Sequence, residues 1–295
     1  NPHGEGCRVG KGAPPPRGFG RPVVEGQAGP ALITPAVLEI KNADSVRVAG
    51  FEFTAAPFAG GPWTSPYDSG TLSPLCGIYA EDVRALTVQC NRFRNLVAGV
   101  VATYGSGADF ELTVVDNSFN NVGLGIGALF DVGGRALIAG NDIQDSLLGI
   151  VVACYDMGGR AEVDVLGHRI AGRTADLAGI EPFELFADLF DDVLPPLPGF
   201  PADHPAQLPF PALGGIAVVA APGADIGARV MGNVVQHPFI GIAGVAVGLG
   251  PDPTVLDLEI VSNELVGGGL DAVYQLGRAH AGTLAALLTG NYGTW

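Results

Sequence analysis

Apolar and polar residues alternate along this chain in short runs, and the runs repeat. Val88-Gln-Cys-Asn91-Arg-Phe93, Val114-Val-Asp-Asn117-Ser-Phe119 and Ile138-Ala-Gly-Asn141-Asp-Ile143 each set a β-branched residue three places before an Asn and an apolar residue two places after it. Eight residues after each Asn stands a Gly followed by a β-branched residue, in Gly99-Val100, Gly125-Ile126 and Gly149-Ile150. Alternation of period two, bounded by Gly, Asn and Asp, predicts short strands rather than helices.

The pattern extends in both directions. The Asn column reads Phe51, Asn91, Asn117, Asn141, His168, Asn233, Asn263 and Asn291, and the apolar column two places on reads Phe53, Phe93, Phe119, Ile143, Ile170, Val235 and Leu265. At the last unit the apolar member is Tyr292, one place early, which predicts a fraying final turn of the chain. Successive Asn-column members are 40, 26, 24, 27, 65, 30 and 28 residues apart, a repeat of about 24–30 residues with two insertions. Such a period marks a stacked-repeat architecture. Three short strands per unit, each pairing in parallel with its counterpart in the next, would stack like side chains through one continuous core. Asn suits the turn column because it tolerates the left-handed conformation and its amide can bond the units on either side. Gly at plus eight is expected to permit a tight turn into the next strand.

Outside the repeat, residues 1–21 are rich in Gly, Pro and Arg and read as irregular; residues 22–295 carry the repeat domain. The first insertion, 54–75, reads as a loop with Trp63 and Tyr67. The second, 171–214, holds Phe183, Phe186, Phe190 and Val193 at helical spacing, which predicts a short amphipathic helix over 180–194. Both follow the apolar column, so they should leave the same edge, four units and about 19 Å apart. They either frame a groove for several sugar units or merely cover apolar surface.

The stretches VRVAGFEF, LTVQCNRFRNLVAGVV, LTVVDNSFNNVGLGI and ALIAGNDIQDSLLGI resemble repeats of the right-handed parallel β-helix proteins of the pectate-lyase-like superfamily. The resemblance covers roughly residues 22–292. It implies an all-β, single-stranded right-handed parallel β-helix, a secreted or cell-surface location, and carbohydrate as the ligand class. In relatives that act on acidic polysaccharides, it implies reactive residues on the exterior of one sheet. It does not choose among lyases, hydrolases, epimerases, esterases, phage spikes and inert scaffolds.

Composition narrows the partners. The net charge of −15, with lysine only at Lys11 and Lys41, opposes a nucleic-acid role that depends on neutralising phosphates. Abundant Gly (45) and Pro (23) fit repeated turns and not a helical protein. Apolar runs such as 240–249 are too short for a membrane helix, which needs about 18 residues. The opening Asn1-Pro-His-Gly lacks a basic start and an apolar region, and so reads as a mature or trimmed form. Cys7, Cys76, Cys90 and Cys154 have no zinc spacing, and the last three fall at different places in the repeat, which favours buried free thiols.

Candidate chemistry is sparse. On the strand after the column Gly, alternation turns Val101 and Thr103, Gly127 and Leu129, Val151 and Ala153, Ala217 and Val219, and Ala243 and Val245 outward. No ionisable group stands among them, poor ground for a lyase, which needs a base and a charge-stabilising partner. This apolar ribbon is expected to lie partly under the 180–194 helix and to offer the rest to a partner, a ligand or a second copy. The following turn is spelled twice, Phe130-Asp-Val-Gly-Gly-Arg135 and Tyr155-Asp-Met-Gly-Gly-Arg160. It is expected to stack Asp131 over Asp156 and Arg135 over Arg160, with Tyr104 and Asp109 continuing the row. These Asp and Arg residues are the candidate catalytic groups, or else a ladder of surface ion pairs; Tyr104, Phe130, Tyr155, Trp63 and Tyr67 are the candidate sugar-binding aromatics. Asp188, Asp191 and Asp192 would offer oxygen ligands to Ca2+, or form the solvated face of the helix; no other cofactor is implied. His168 is expected to make the same turn contacts as the Asn it replaces. Two functions follow: a non-catalytic surface protein that binds carbohydrate or acts as a scaffold, or a polysaccharide lyase, hydrolase or epimerase working between the insertions.

Overall fold

In the computed structural model the described residues are 23–26, 36–55, 76–105, 109–154, 159–172, 214–221, 223–236, 240–247, 254–266, 270–278 and 282–294. Among them there are strands and turns and no helix. The chain opens with β1 (Val23–Gly26), β2 (Ala36–Lys41), β3 (Ser45–Ala49) and β4 (Glu52–Ala55). Then come β5 (Cys76–Glu81), β6 (Ala85–Gln89), β7 (Arg92–Tyr104), β8 (Phe110–Val115), β9 (Ser118–Phe130), β10 (Gly134–Ala139) and β11 (Asp142–Cys154). β12 (Arg160–Leu166), β13 (Arg169–Gly172), β14 (Gly214–Ala220), β15 (Asp225–Met231) and β16 (Val234–Gln236) follow. β17 (Ile240–Val247), β18 (Thr254–Val261), β19 (Glu264–Val266), β20 (Leu270–Arg278), β21 (Gly282–Thr289) and β22 (Tyr292–Thr294) complete the order.

The strands form long parallel sheets. An eight-stranded sheet runs β21-β18-β15-β12-β10-β8-β6-β3. A fourteen-stranded sheet has two limbs, β1-β4-β7-β9-β11-β13-β16-β19-β22 and β2-β5-β7-β9-β11-β14-β17-β20, which share β7, β9 and β11. Those three strands are long because each bends at one left-handed residue: Asn95, Asn121 and Asp145 have φ of 55°, 55° and 54°. Asn and Asp tolerate that conformation, and Asn121 Nδ2 donates to Asn95 Oδ1 at 2.8 Å. This second stack, four residues after the first, was not anticipated from the sequence.

Register follows the repeat. Val48, Val88, Val114, Ile138, Val165, Val230 and Ile260 are successive partners across the eight-stranded sheet, all buried. Phe53, Phe93, Phe119, Ile143, Ile170, Val235 and Leu265 form the matching column on the other sheet. Its rings stack, with centroids 5.1 Å apart for Phe53–Phe93 and 4.7 Å for Phe93–Phe119. At the end Leu265 pairs with Gly293 and Tyr292 with Glu264, so Gly293 and not Tyr292 continues the column.

The Asn column is a hydrogen-bonded ladder. Asn91 N donates to Asn117 Oδ1, and Asn117 N to Asn141 Oδ1, each at 2.9 Å; Asn233, Asn263 and Asn291 repeat the contact. Each Nδ2 also donates to a strand carbonyl, as Asn117 does to Val88 O at 2.9 Å. Phe51 joins through its backbone, N to Asn91 Oδ1 at 3.0 Å. His168 replaces Asn atom for atom: Asn141 N donates to Nδ1 at 3.1 Å, and Nε2 donates to Ile138 O at 2.9 Å. These partners require the neutral ring protonated on Nε2.

The plus-eight glycines have a different cause from the one expected. Gly99, Gly125, Gly149 and Gly241, and Gly215, which register sets opposite Gly149, are not left-handed. A Cβ at Gly99 would strike the Phe119 ring, at Gly125 it would lie 2.9 Å from Ile143 Cδ1, and at Gly241 2.8 Å from Leu265 Cδ2. Their hydrogen leaves room for the neighbouring apolar column. The cysteines also need a correction: Cys76 and Cys154 are buried free thiols, but Cys90 is disulfide-bonded, with its partner outside the described residues.

Candidate functional site

The strands of the eight-stranded sheet alternate strictly, with burial falling on every second residue of β8, β10 and β12. The residues that face outward therefore line up by register. Ser45, Ala85, Glu111, Arg135, Glu162, Gly227 and Asp257 are consecutive partners. Neighbours in this row stand one strand spacing apart, about 4.8 Å.

Around the middle of that row the surface holds a depression of about 750 Å³. Glu111, Arg135 and Glu162 come from the row itself; Asp109, immediately before β8, and Arg160, the first residue of β12, stand two residues ahead of it, and Asp44 and Arg84 come from the turns before β3 and β6. Gly134, Ala85 and the edge of Phe110 complete the lining. All seven charged side chains belong to exposed residues. Arg160 is saturated by carboxylates: Nε to Glu162 Oε1 at 2.7 Å, Nη1 to Asp225 Oδ1 at 2.9 Å and Nη2 to Asp257 Oδ2 at 2.9 Å. These hydrogen bonds hold its guanidinium above the ordinary arginine range. Beside it, Arg229 grips Asp164 through Nε at 2.7 Å and Nη2 at 2.8 Å. Arg84, Arg135, Asp44, Asp109 and Glu111 form no ion pair among the described residues, so the depression presents three unneutralised carboxylates and two unneutralised guanidiniums.

The structure redistributes the expected site residues. Arg135 and Arg160 both line the depression, but they do not stack: Arg135 pairs with Glu162, and Arg160 stands two places earlier on its strand. The two similarly spelled stretches differ in length, since Cys154 pairs with Phe130 while Ala161 pairs with Gly134, leaving three residues between the paired positions in the first and six in the second. Asp131 lies in the first turn, outside the depression, where its N donates to Tyr104 O at 2.7 Å. Tyr104 and Phe130 are not surface aromatics. They point into the core against Phe110, with centroids 4.6 Å (Tyr104–Phe110) and 4.1 Å (Phe110–Phe130) apart. Asp156, Tyr155, Trp63, Tyr67, Asp188, Asp191 and Asp192, with the 180–194 segment, lie outside the described residues.

The missed residues carry a plain sequence signal. Glu111, Arg135 and Glu162 each stand six places before a ladder residue, Asn117, Asn141 and His168. No insertion separates these strands from the ladder, so that offset is fixed by geometry; the spelling of the preceding turn is not.

The apolar ribbon is present on the outward face of the limb from β5 to β17. Cys76, Leu124, Leu148, Val151, Ala153 and Val219 form a buried cluster separate from the main core, with Val101, Leu129, Ala217 and Val245 packed against it.

Comparison with known proteins gives no match to any family model, to any curated protein or to any solved structure.

Proposed function

We propose that this chain is a right-handed parallel β-helix of the pectate-lyase-like kind that works at or outside the cell surface as a non-catalytic carbohydrate-binding protein. Parallel pairing of each strand with its counterpart one unit later, and the continuous Asn ladder, support the winding. The observation that carries the binding reading is the depression on the eight-stranded sheet, which exposed carboxylates and guanidiniums line together. Carboxylates accept from sugar hydroxyls and guanidiniums donate to hydroxyl and ring oxygens, so a surface carrying both offers a sugar chain each kind of polar contact.

Binding is favoured over turnover by exposure. Catalytic electrostatics depend on groups held in a site that excludes water, whereas every charged side chain lining this depression faces solvent. Arg160, the best-anchored cation, is already occupied by three carboxylates.

Affinity electrophoresis of the full chain through neutral, acidic and amine-bearing polysaccharides tests this. Retardation that is lost in the Glu111→Gln/Arg135→Ala double variant supports the proposal. Retardation by none of them defeats it. Release of unsaturated products or new reducing ends, lost in the same variant, would replace binding with the lyase or hydrolase reading.

A further inference from the structure

The chain has four cysteines, Cys7, Cys76, Cys90 and Cys154. Cys76 and Cys154 are free thiols, whereas Cys90 is disulfide-bonded. Elimination leaves Cys7, which lies outside the described residues, as the partner. We infer that Cys7 and Cys90 form a disulfide that ties the N-terminal segment to the corner between β6 and β7.

The backbone at Cys90 supports this independently. The residues that precede the Asn column are all left-handed: Gly50, Cys90, Asp116, Gly140, Gly167, Gly232, Ser262 and Gly290. Gly is the natural occupant, and the φ of 55° at Cys90 is one that a β-carbon penalises. Packing does not explain a cysteine there. Cys76 and Cys154 are fully buried and act as small apolar residues. Cys90 is half-buried at a turn. A Cβ at Gly50 or Gly232, in the same column, meets no described atom within 4 Å, so the column points away from the core. A left-handed, outward-pointing cysteine serves a cross-link and not the core.

The bond closes a loop of about 83 residues. Gly50 follows β3, the end strand of the eight-stranded sheet, so the staple sits one unit in from that edge. It forms by disulfide exchange: the two thiols lose two protons and two electrons, and a disulfide donor takes them up and leaves as two thiols. Such donors prevail in oxidising compartments, where the chain is expected to reach its full stability. The inference is independent of what the depression binds.

The test is tryptic mapping of the full chain, secreted by its host, purified without reductant and alkylated in denaturant. The peptide ending at Arg8 should appear joined to Ala85-Leu-Thr-Val-Gln-Cys-Asn-Arg92 and separate on reduction. Alkylated Cys90, or Cys90 joined to a second copy of the chain, overturns the inference. Reduction of the folded chain and Cys7→Ser should each lower the thermal midpoint by about 5–10 °C. Cys90→Gly should lose less, because it also relieves the left-handed position. A midpoint unchanged by reduction overturns the stapling role, and a Cys90→Gly midpoint no higher than that of Cys7→Ser overturns the argument from backbone strain.

Discussion

Arg160 reaches Asp257, 97 residues further along the chain and two strands away, at 2.9 Å. The strand between them contributes Gly227 at the same outward position, and a Cβ there would lie 2.5 Å from Arg160 Nη2 and 2.6 Å from Glu162 Oε2. The guanidinium thus fills the space a side chain would occupy, and joins β12, β15 and β18 through Glu162, Asp225 and Asp257. One missing side chain turns three separate surface charges into a network at the edge of the candidate site.

Gly227→Ala should push the guanidinium off Asp257 and destabilise the chain by about 1 kcal/mol, the scale of exposed ion pairs. In an Arg160→Ala background the sign should reverse, because Ala is the better strand residue once the space is vacant. Urea denaturation of the four proteins of this double-mutant cycle measures the coupling. Additive effects would show that the guanidinium does not depend on the bare backbone beneath it.

Gly99→Ala should be far costlier than Gly127→Ala. At Gly99 the new methyl strikes the Phe119 ring and lies 2.7 Å from Gly125 O, and neither can retreat within the stack. Overpacking of this kind costs about 2–3 kcal/mol. At Gly127 the nearest atom is the mobile end of Leu124, Cδ2 at 3.0 Å. Denaturation midpoints for the two variants decide it, and equal midpoints would refute the steric origin of the glycine column.

Most of the architecture was legible because stacking makes columns, and columns are visible as constant offsets. The Asn, apolar and β-branched columns came from the offsets of three, two and eight around each Asn, and even Phe51 sits where the count puts it. The site was less legible for the same reason inverted. Arg135 and Arg160 were matched by the wording of their turns, whereas the longer second stretch leaves Arg160 two places before the residue that pairs with Arg135. Counting six back from the ladder instead finds Glu162 opposite Arg135. Tyr104 and Phe130 were assigned to the surface by their neighbours in sequence, although strand alternation from Val100 and Ile126 carries both inward. The 180–194 segment, expected from its helical spacing to cover part of the apolar ribbon, lies outside the described residues.

Cys76 and Cys154 should resist alkylation in the folded chain. Burial pushes the Cys76 thiol up to about 12, and its Sγ donates to Ile78 O at 3.0 Å. Burial, and then the charge of Asp131, pushes the Cys154 thiol up as well. The thiolate is the reactive form, so mass spectrometry after iodoacetamide at pH about 8 should find neither residue labelled until denaturant is added. Labelling of either in the native state would contradict its placement.

His168 should be the acid-sensitive rung of the ladder. Its Nδ1 accepts the Asn141 amide, so protonation there sets two donors face to face. Burial holds its pKa down at about 4, against 6.5 for the free side chain. Between those values the unfolded chain binds the proton and the folded chain does not. Stability from the neutral ring is therefore complete above pH 6.5, and is lost as pH falls towards 4, by about 3 kcal/mol in all. His168→Asn supplies the acceptor and donor used elsewhere in the column without a titrating group. Its stability should change by less than about 1 kcal/mol at neutral pH, yet fall by about 2–3 kcal/mol less than that of the parent chain between pH about 7 and 4.5. Urea midpoints measured across that range check the sign, and identical pH slopes for the two proteins would rule out His168 as the source.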